Sequence, residues 1–303
     1  MPLPLLHRRE FLRRGATAVA ASCLLPGVLR AALAPAKIPR PLFTGIGIAA
    51  TLERAAELKA CGCDYLNEST GTFLVPHLPD SAFEPIRERA AAAPLPVLSC
   101  NNFLRDPKLR CTGPEADHPR VLAFAETAFR RLGQVGGEYI AFGSSGARRL
   151  PEGWPKEKGD EQFVALLQAM APLAAQHNIV VALESLQARE CNYLTRLGEV
   201  VDIVAAVNHP NVRVLADLFH MARMNDTPAD LERALSWLSV MEIAEKETRS
   251  LPGVKGDDFR PFFHVLAAGG FSGRIAIEAD GTREQLATAF ATIRRQAAEA
   301  GAA

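Results

Sequence analysis

Ile179-Val180-Val181-Ala182-Leu183-Glu184 is an apolar run that stops on an acid. Three later stretches do the same: Val212-Arg213-Val214-Leu215-Ala216-Asp217, Leu238-Ser239-Val240-Met241-Glu242 and Arg274-Ile275-Ala276-Ile277-Glu278. Each has the length and β-branched content of a buried parallel strand. Helical segments follow them at 198–207, 229–236, 259–268 and 283–298. An acid at the end of such a strand is unfavourable if it faces a dry core unpaired. Four in succession make sense if the strands stand side by side and the acids converge on one cation. In a closed (β/α)8 barrel that convergence falls on the catalytic face.

The first half of the chain repeats the alternation. Strands are predicted at 42–48, 64–68, 95–101 and 139–142, with helices at 52–60, 82–92, 120–132 and 162–177. Eight βα units with no break predict an α/β protein, a single (β/α)8 barrel over residues 37–303. The 303-residue length suits one such barrel plus an extension. An open dinucleotide-binding sheet is disfavoured because no G-x-G-x-x-G follows the first strand. The turns Cys61-Gly62-Cys63, Gly136-Gly137, Asn208-His209-Pro210-Asn211 and Gly269-Gly270 carry helix-ending residues and belong at the opposite face.

Residues 1–36 read differently. His7-Arg8-Arg9-Glu10-Phe11-Leu12-Arg13-Arg14 is basic, an apolar run covers 16–25, and Ala32-Leu33-Ala34 offers a cleavage site. The pattern resembles a twin-arginine export signal with a linker, which would make the mature protein periplasmic. A short amphipathic helix of a cytosolic enzyme is the alternative reading, and Cys23 is a weak candidate for lipidation. The apolar run is too short for a stable membrane span. Thirty-four basic residues balance thirty-four acidic ones, so no electrostatic footprint marks a nucleic-acid or anionic-membrane partner. The cysteines outside this segment read as small buried thiols.

Candidate chemistry concentrates at strand ends. Glu184, Asp217, Glu242 and Glu278 form the expected metal-ligand set, and Asp217-Leu218-Phe219-His220 lets His220 turn over the same mouth. Glu68 and Asn101, ending the second and third strands, are expected to face the substrate. Trp154 reads equally as a sugar-stacking or a lid-packing residue.

Several motifs together look like one family. Leu183-Glu184-Ser185-Leu186, Glu190-Cys191-Asn192, Asp217-x-x-His220, Ile243-Ala244-Glu245 with Arg249 and Pro252-Gly253, Gly273-Arg274-Ile275-Ala276-Ile277-Glu278, and Phe142-Gly143-Ser144-Ser145-Gly146-Ala147-Arg148 carry the likeness. They resemble the sugar-phosphate isomerase/epimerase superfamily of xylose-isomerase-like barrels, which includes ketose 3-epimerases and hydroxypyruvate isomerases. The resemblance implies a divalent cation, usually Mn, Co or Mg. It also implies that Glu184 and Glu278 abstract and return a proton beside a substrate carbonyl, while His220 and Arg249 hold substrate oxygens.

One position departs from the family. Its strand-seven ligand is His, whereas this chain has Glu242. An all-oxygen set prefers a hard ion such as Mg, Mn or Ca over Zn or Co. Other readings of Glu242 are an acid/base group without an ion, or a degenerate site. The expected function is a metal-dependent sugar isomerase or epimerase, with Mn or Mg as cofactor, a small sugar as partner and subunit contacts of a homo-oligomer in view. The alternatives are a lyase cleaving 3-keto-glycosides at the same site and a non-catalytic carbohydrate-binding barrel.

Overall fold

In the computed structural model, which describes residues 41–301, eight parallel strands close into a barrel in sequence order, β1 to β8. The segments expected to carry export and Cys23 lie outside the described residues. The strands are β1 (Phe43–Ala49), β2 (Tyr65–Ser69), β3 (Val97–Asn101), β4 (Tyr139–Phe142), β5 (Val180–Glu184), β6 (Val212–Asp217), β7 (Leu238–Ile243) and β8 (Gly273–Ile277). The helices are α1 (Ala55–Ala60), α2 (Asp80–Ala92), α3 (His118–Gln134), α4 (Ser145–Arg148), α5 (Lys156–Gln176), α6 (Leu197–Val207), α7 (Leu218–Met224), α8 (Pro228–Ala234), α9 (Arg260–Ala268) and α10 (Arg283–Gly301). The single (β/α)8 barrel expected from the alternation is what forms.

The outer core lies between strands and helices. α3 shows how its residues decide this: Val121, Ala125, Ala128, Phe129 and Leu132 recur every three or four positions and are all buried. The Asp117 carboxylate accepts from Arg120 N at 3.1 Å and caps the helix start. Fully burying each large apolar side chain contributes about 1.5–3 kcal/mol. The helix-to-strand turns adopt the left-handed backbone predicted for them, with φ of 100° at Gly62, 79° at Gly136, 49° at Asn208 and 70° at Gly270. Cys61, Cys63, Cys100, Cys111 and Cys191 are all buried free thiols.

A second, smaller core fills the barrel itself: Tyr65, Tyr139, Ala141, Ala182, Leu215, Val240 and Ala276. Side chains alternate along a strand, so the residue two further on points the same way. Two beyond Ala182, Leu215, Val240 and Ala276 stand Glu184, Asp217, Glu242 and Glu278. The parity that fills the barrel with small and branched residues therefore delivers all four acids to its upper mouth. β8 ends at Ile277, one residue short of the expected end, yet Glu278 N still donates to Ile243 O at 3.0 Å.

Three short helices escape the sequence pattern: a π-helical turn at Thr70–Leu74, α4 and α7. All follow strand ends on the upper face and are too short to show a periodicity. Among the described residues, no helix is long and apolar enough to cross a membrane.

Candidate active site and metal centre

The acids at the strand ends meet. One carboxylate oxygen each from Glu184, Asp217, Glu242 and Glu278 lies within 4.8 Å of the others, as do atoms of Glu184, Asp217 and His220. Register makes this local: Asp217 and Glu242 are paired positions on β6 and β7. The four acids are not equivalent, however. Asp217 and Glu242 are fully buried, whereas Glu184 and Glu278 line a cavity of about 720 Å³ with Asn101, Gly143, Glu190, His220 and Arg249. A smaller depression of about 220 Å³ at the opposite mouth, lined by Glu138, Tyr139 and Arg274, holds none of the acids.

Among the described residues, the chain engages both oxygens of Asp217 and Glu278, one oxygen of Glu242, and neither of Glu184 by a hydrogen bond. Asp217 Oδ1 accepts from Phe219 N at 2.7 Å, which caps α7 and carries His220 over the floor. Glu242 Oε1 accepts from Asn67 Nδ2 at 3.0 Å, across the barrel from β2. Glu278 Oε1 accepts from Asn101 Nδ2 at 3.0 Å. Glu184 Oε2 lies where a side chain at residue 143 would begin: a Cβ on Gly143 would sit 2.4 Å from it and would push that carboxylate aside. The remaining oxygens include Glu184 Oε1 and Glu242 Oε2, both buried with no donor among the described residues.

The cations nearby are few. Arg249 donates to Asp217 Oδ2 at 3.3 Å and to Glu278 Oε2, and its guanidinium lies 4.6 Å from the Phe219 ring centre. It sits in left-handed backbone at φ 53°, beside Thr248 at 58°. Buried Glu245 organises the loop that carries it, accepting from Gly253, Lys255, Gly256 and Asp257 N and from Ser250 Oγ. Burial pushes the Glu245 carboxyl up, but the N–H groups of Lys255 and Gly253 and the Ser250 hydroxyl outweigh it and hold it below the ordinary value. Arg148, fully buried, donates to Glu184 O at 2.7 Å and fixes that strand end from behind.

His220 accepts from Gln187 N at Nδ1, 3.2 Å away. Burial, aided by Arg249, pushes it down to about 4, so the ring is neutral and carries its proton on Nε2. That nitrogen faces Glu184 Oε1 at 3.4 Å and Asp217 Oδ2 at 3.6 Å. His220 is thus a donor aimed at the acids and into the cavity.

Two expected substrate contacts turn out differently. Glu68 does not line the cavity; its oxygens accept from Leu52 N at 2.6 Å and Ser69 N at 3.1 Å, bracing the turn after β1. The reason is parity: on β2 the inward residues are Tyr65 and Asn67, so Glu68 points away. Asn101 does line the cavity, but its amide is engaged at both ends, by Glu278 and by Asn102 Nδ2 at 2.9 Å. Trp154 packs against the outer core under Lys158 and does not line the cavity. No role was read from the sequence for Asn67, Gly143, Arg148 or Glu245, although the last three stand in the family motifs and Asn67 carries the inward parity of β2.

Burial pushes Glu184 and Glu242 well above the usual carboxylate range, and the neighbouring acids push further in the same direction. Asp217 and Glu278 are also raised, by burial first. The donor set suits a dication: four carboxylates share one opening, and Arg249 is the only side-chain cation among the described residues hydrogen-bonded to them. Unfolded carboxyls ionise at their ordinary value, whereas the cage acids hold protons above it. The metal-free native state therefore binds more protons, and stability falls as pH rises. His220 opposes this only between about 4 and the 6.5 of a free imidazole. Above pH 6.5 the metal-free Tm is expected to fall with pH. Each net proton released accounts for up to about 1.4 kcal/mol per pH unit, roughly 2–4 °C. Thermal melts in chelator at several pH values check this, and a flat profile there contradicts it.

Fold and site together define a parallel α/β barrel with a buried cage of carboxylates at its C-terminal mouth. The chain belongs to the xylose isomerase-like TIM barrel family, which matches residues 55–299. An inosose isomerase from Halalkalibacterium halodurans is 26% identical over 126 residues. That match covers 38% of this chain and spans 44% of the relative's length. Among solved structures, an L-ribulose 3-epimerase aligns at a TM-score of 0.72 and 19% identity, covering 84% of this chain and 95% of its own. A 3-keto-D-glucoside 4-epimerase from E. coli aligns at 0.68 and 21% identity, covering 86% and 99%.

Proposed function

We propose that this chain is a divalent-metal-dependent isomerase or epimerase of a small sugar or sugar derivative, acting by proton abstraction next to a carbonyl. The observation that carries the reading is the division among the four acids: Asp217 and Glu242 are sealed beneath the cavity, while Glu184 and Glu278 reach into it. Sealed acids suit holding an ion; cavity acids suit moving protons. Epimerisation needs two such groups, because reprotonation on the opposite face requires a second acid. The sugar-processing relatives agree with this reading.

Glu184, Asp217, Glu242 and Glu278 would hold the cation, Mn or Mg by their all-oxygen chemistry. When bound there, it would polarise the substrate carbonyl and stabilise the negative charge of the enediolate. Glu184 or Glu278 takes the proton from the carbon beside the carbonyl, and the other returns one. Burial raises the proton affinity of both, the direction a carboxyl must move to accept and then donate a proton in this role. His220 Nε2–H donates to a substrate oxygen from the cavity wall. Arg249, held by Glu245's loop and the Phe219 face, offers its guanidinium to a second oxygen or to developing charge.

Ketoses incubated with the enzyme and Mn in deuterated water should acquire solvent deuterium at a single carbon as the epimer forms. Release of an aglycone from a 3-keto-glycoside would instead identify β-elimination by the same acids. Binding with neither exchange nor release would leave a carbohydrate-binding barrel.

A further inference from the structure

We propose that Asn67 is a positioning residue that presents Glu242 to the cation through one oxygen only, and so selects a small octahedral ion over calcium. The inference rests on the metal-binding reading of the cage.

Asn67 is 1% exposed and stands on β2, two residues above Tyr65, on the parity that faces the barrel axis. Glu242 is its partner across the mouth, 175 residues away in sequence, with Asn67 Nδ2 on Glu242 Oε1 at 3.0 Å. The other ends of both side chains, Asn67 Oδ1 and Glu242 Oε2, are buried with no donor among the described residues. A free carboxylate can bind a cation with one oxygen or with both. A donor on Oε1 takes one of that oxygen's two lone pairs and restrains the carboxylate plane, which disfavours two-oxygen binding. Asn does this without charge, where Lys would cancel an acid of the cage and Asp would add one.

Asp217 and Glu278 are also held at one oxygen, by Phe219 N and by Asn101, while Arg249 holds the other oxygen of each. At Glu184, Oε2 is confined against Gly143. With Arg249 released from Asp217 Oδ2 and Glu278 Oε2, four acids giving one oxygen each would leave two positions of an octahedron for substrate oxygens or water. Calcium takes six to eight oxygens and commonly binds carboxylates through both, whereas Mg and Mn favour six. Glu242 is the acid whose restraint depends on one side chain outside the cavity, so Asn67 is where the choice can be tested without touching substrate.

Calorimetric titration of the metal-free protein with Mn²⁺ alone and with Ca²⁺ alone gives an affinity ratio that needs no substrate. Asn67→Ala should weaken Mn²⁺ by about 10–100-fold, the usual worth of an outer partner, and lower the Mn/Ca ratio by at least about tenfold as Glu242 gains two-oxygen binding. Asn67→Ser, whose hydroxyl is too short to reach Glu242, should behave the same way and stands in if the alanine variant fails to fold. In a Glu242→Gln background either change should leave the ratio unaltered. A ratio unchanged in both single variants, or one that falls equally in the Glu242→Gln background, overturns the proposal and leaves Asn67 a packing residue. Failure of the unsubstituted protein to bind Mn²⁺ would instead remove the metal reading itself.

Discussion

Glu278→Gln is expected to lower turnover by about 10²–10⁴-fold, the range associated with a positioned acid or base, with little change in fold. Glu278 is the most accessible of the four acids, its side chain 21% exposed, and Asn101 and Arg249 grip it from two sides. Glutamine keeps the volume and one accepting oxygen but cannot carry the proton, and it also removes one charge from the cage and from the Arg249 pair. Glu184→Gln should cost a similar factor, and the two variants should differ in a telling way. Whichever acid abstracts the proton, removing the other leaves abstraction intact. That variant should wash deuterium into unreacted substrate without making the epimer. A loss of less than about tenfold in both variants would end the two-acid mechanism.

Glu242→Gln should produce effects of opposite sign on metal binding and on metal-free stability. Glu242 is fully buried, and burial together with Glu278, Glu184 and Asp217 opposes its ionisation. Taking its charge away should weaken Mn²⁺ by at least about 100-fold, beyond the worth of an outer partner. The metal-free protein should melt higher by a few degrees, since about 1 kcal/mol of uncompensated buried charge is removed. Its fall in Tm above pH 6.5 should also flatten. A residue that merely packs would lower both quantities together. A Glu242 that served as the acid/base group would lose activity with metal affinity intact, a role its full burial and absence from the cavity lining argue against.

Much of the architecture was legible because strand and helix signals are local. Runs such as Ile179–Glu184 and Val212–Asp217 announce themselves within six residues, and Gly62, Gly136, Asn208 and Gly270 mark the turns by their own backbone needs. The acids were legible for the same reason, as charges breaking apolar runs. Glu68 was misjudged because a strand-end acid was read without its parity. α7 escaped because seven residues give two turns and no repeat.

Residue order by itself determined the eight-unit barrel and the four acids that end its later strands, because alternation of period two and short turn signals act between near neighbours. Barrel closure decided the rest. Asn67 meets Glu242 and Asn101 meets Glu278 only because the sheet joins its edges, so that partners up to 177 residues apart face one another across the mouth. The same closure seals Asp217 and Glu242 and leaves Glu184 and Glu278 open to the cavity. That division is one of access to the cavity, a property no stretch of sequence carries.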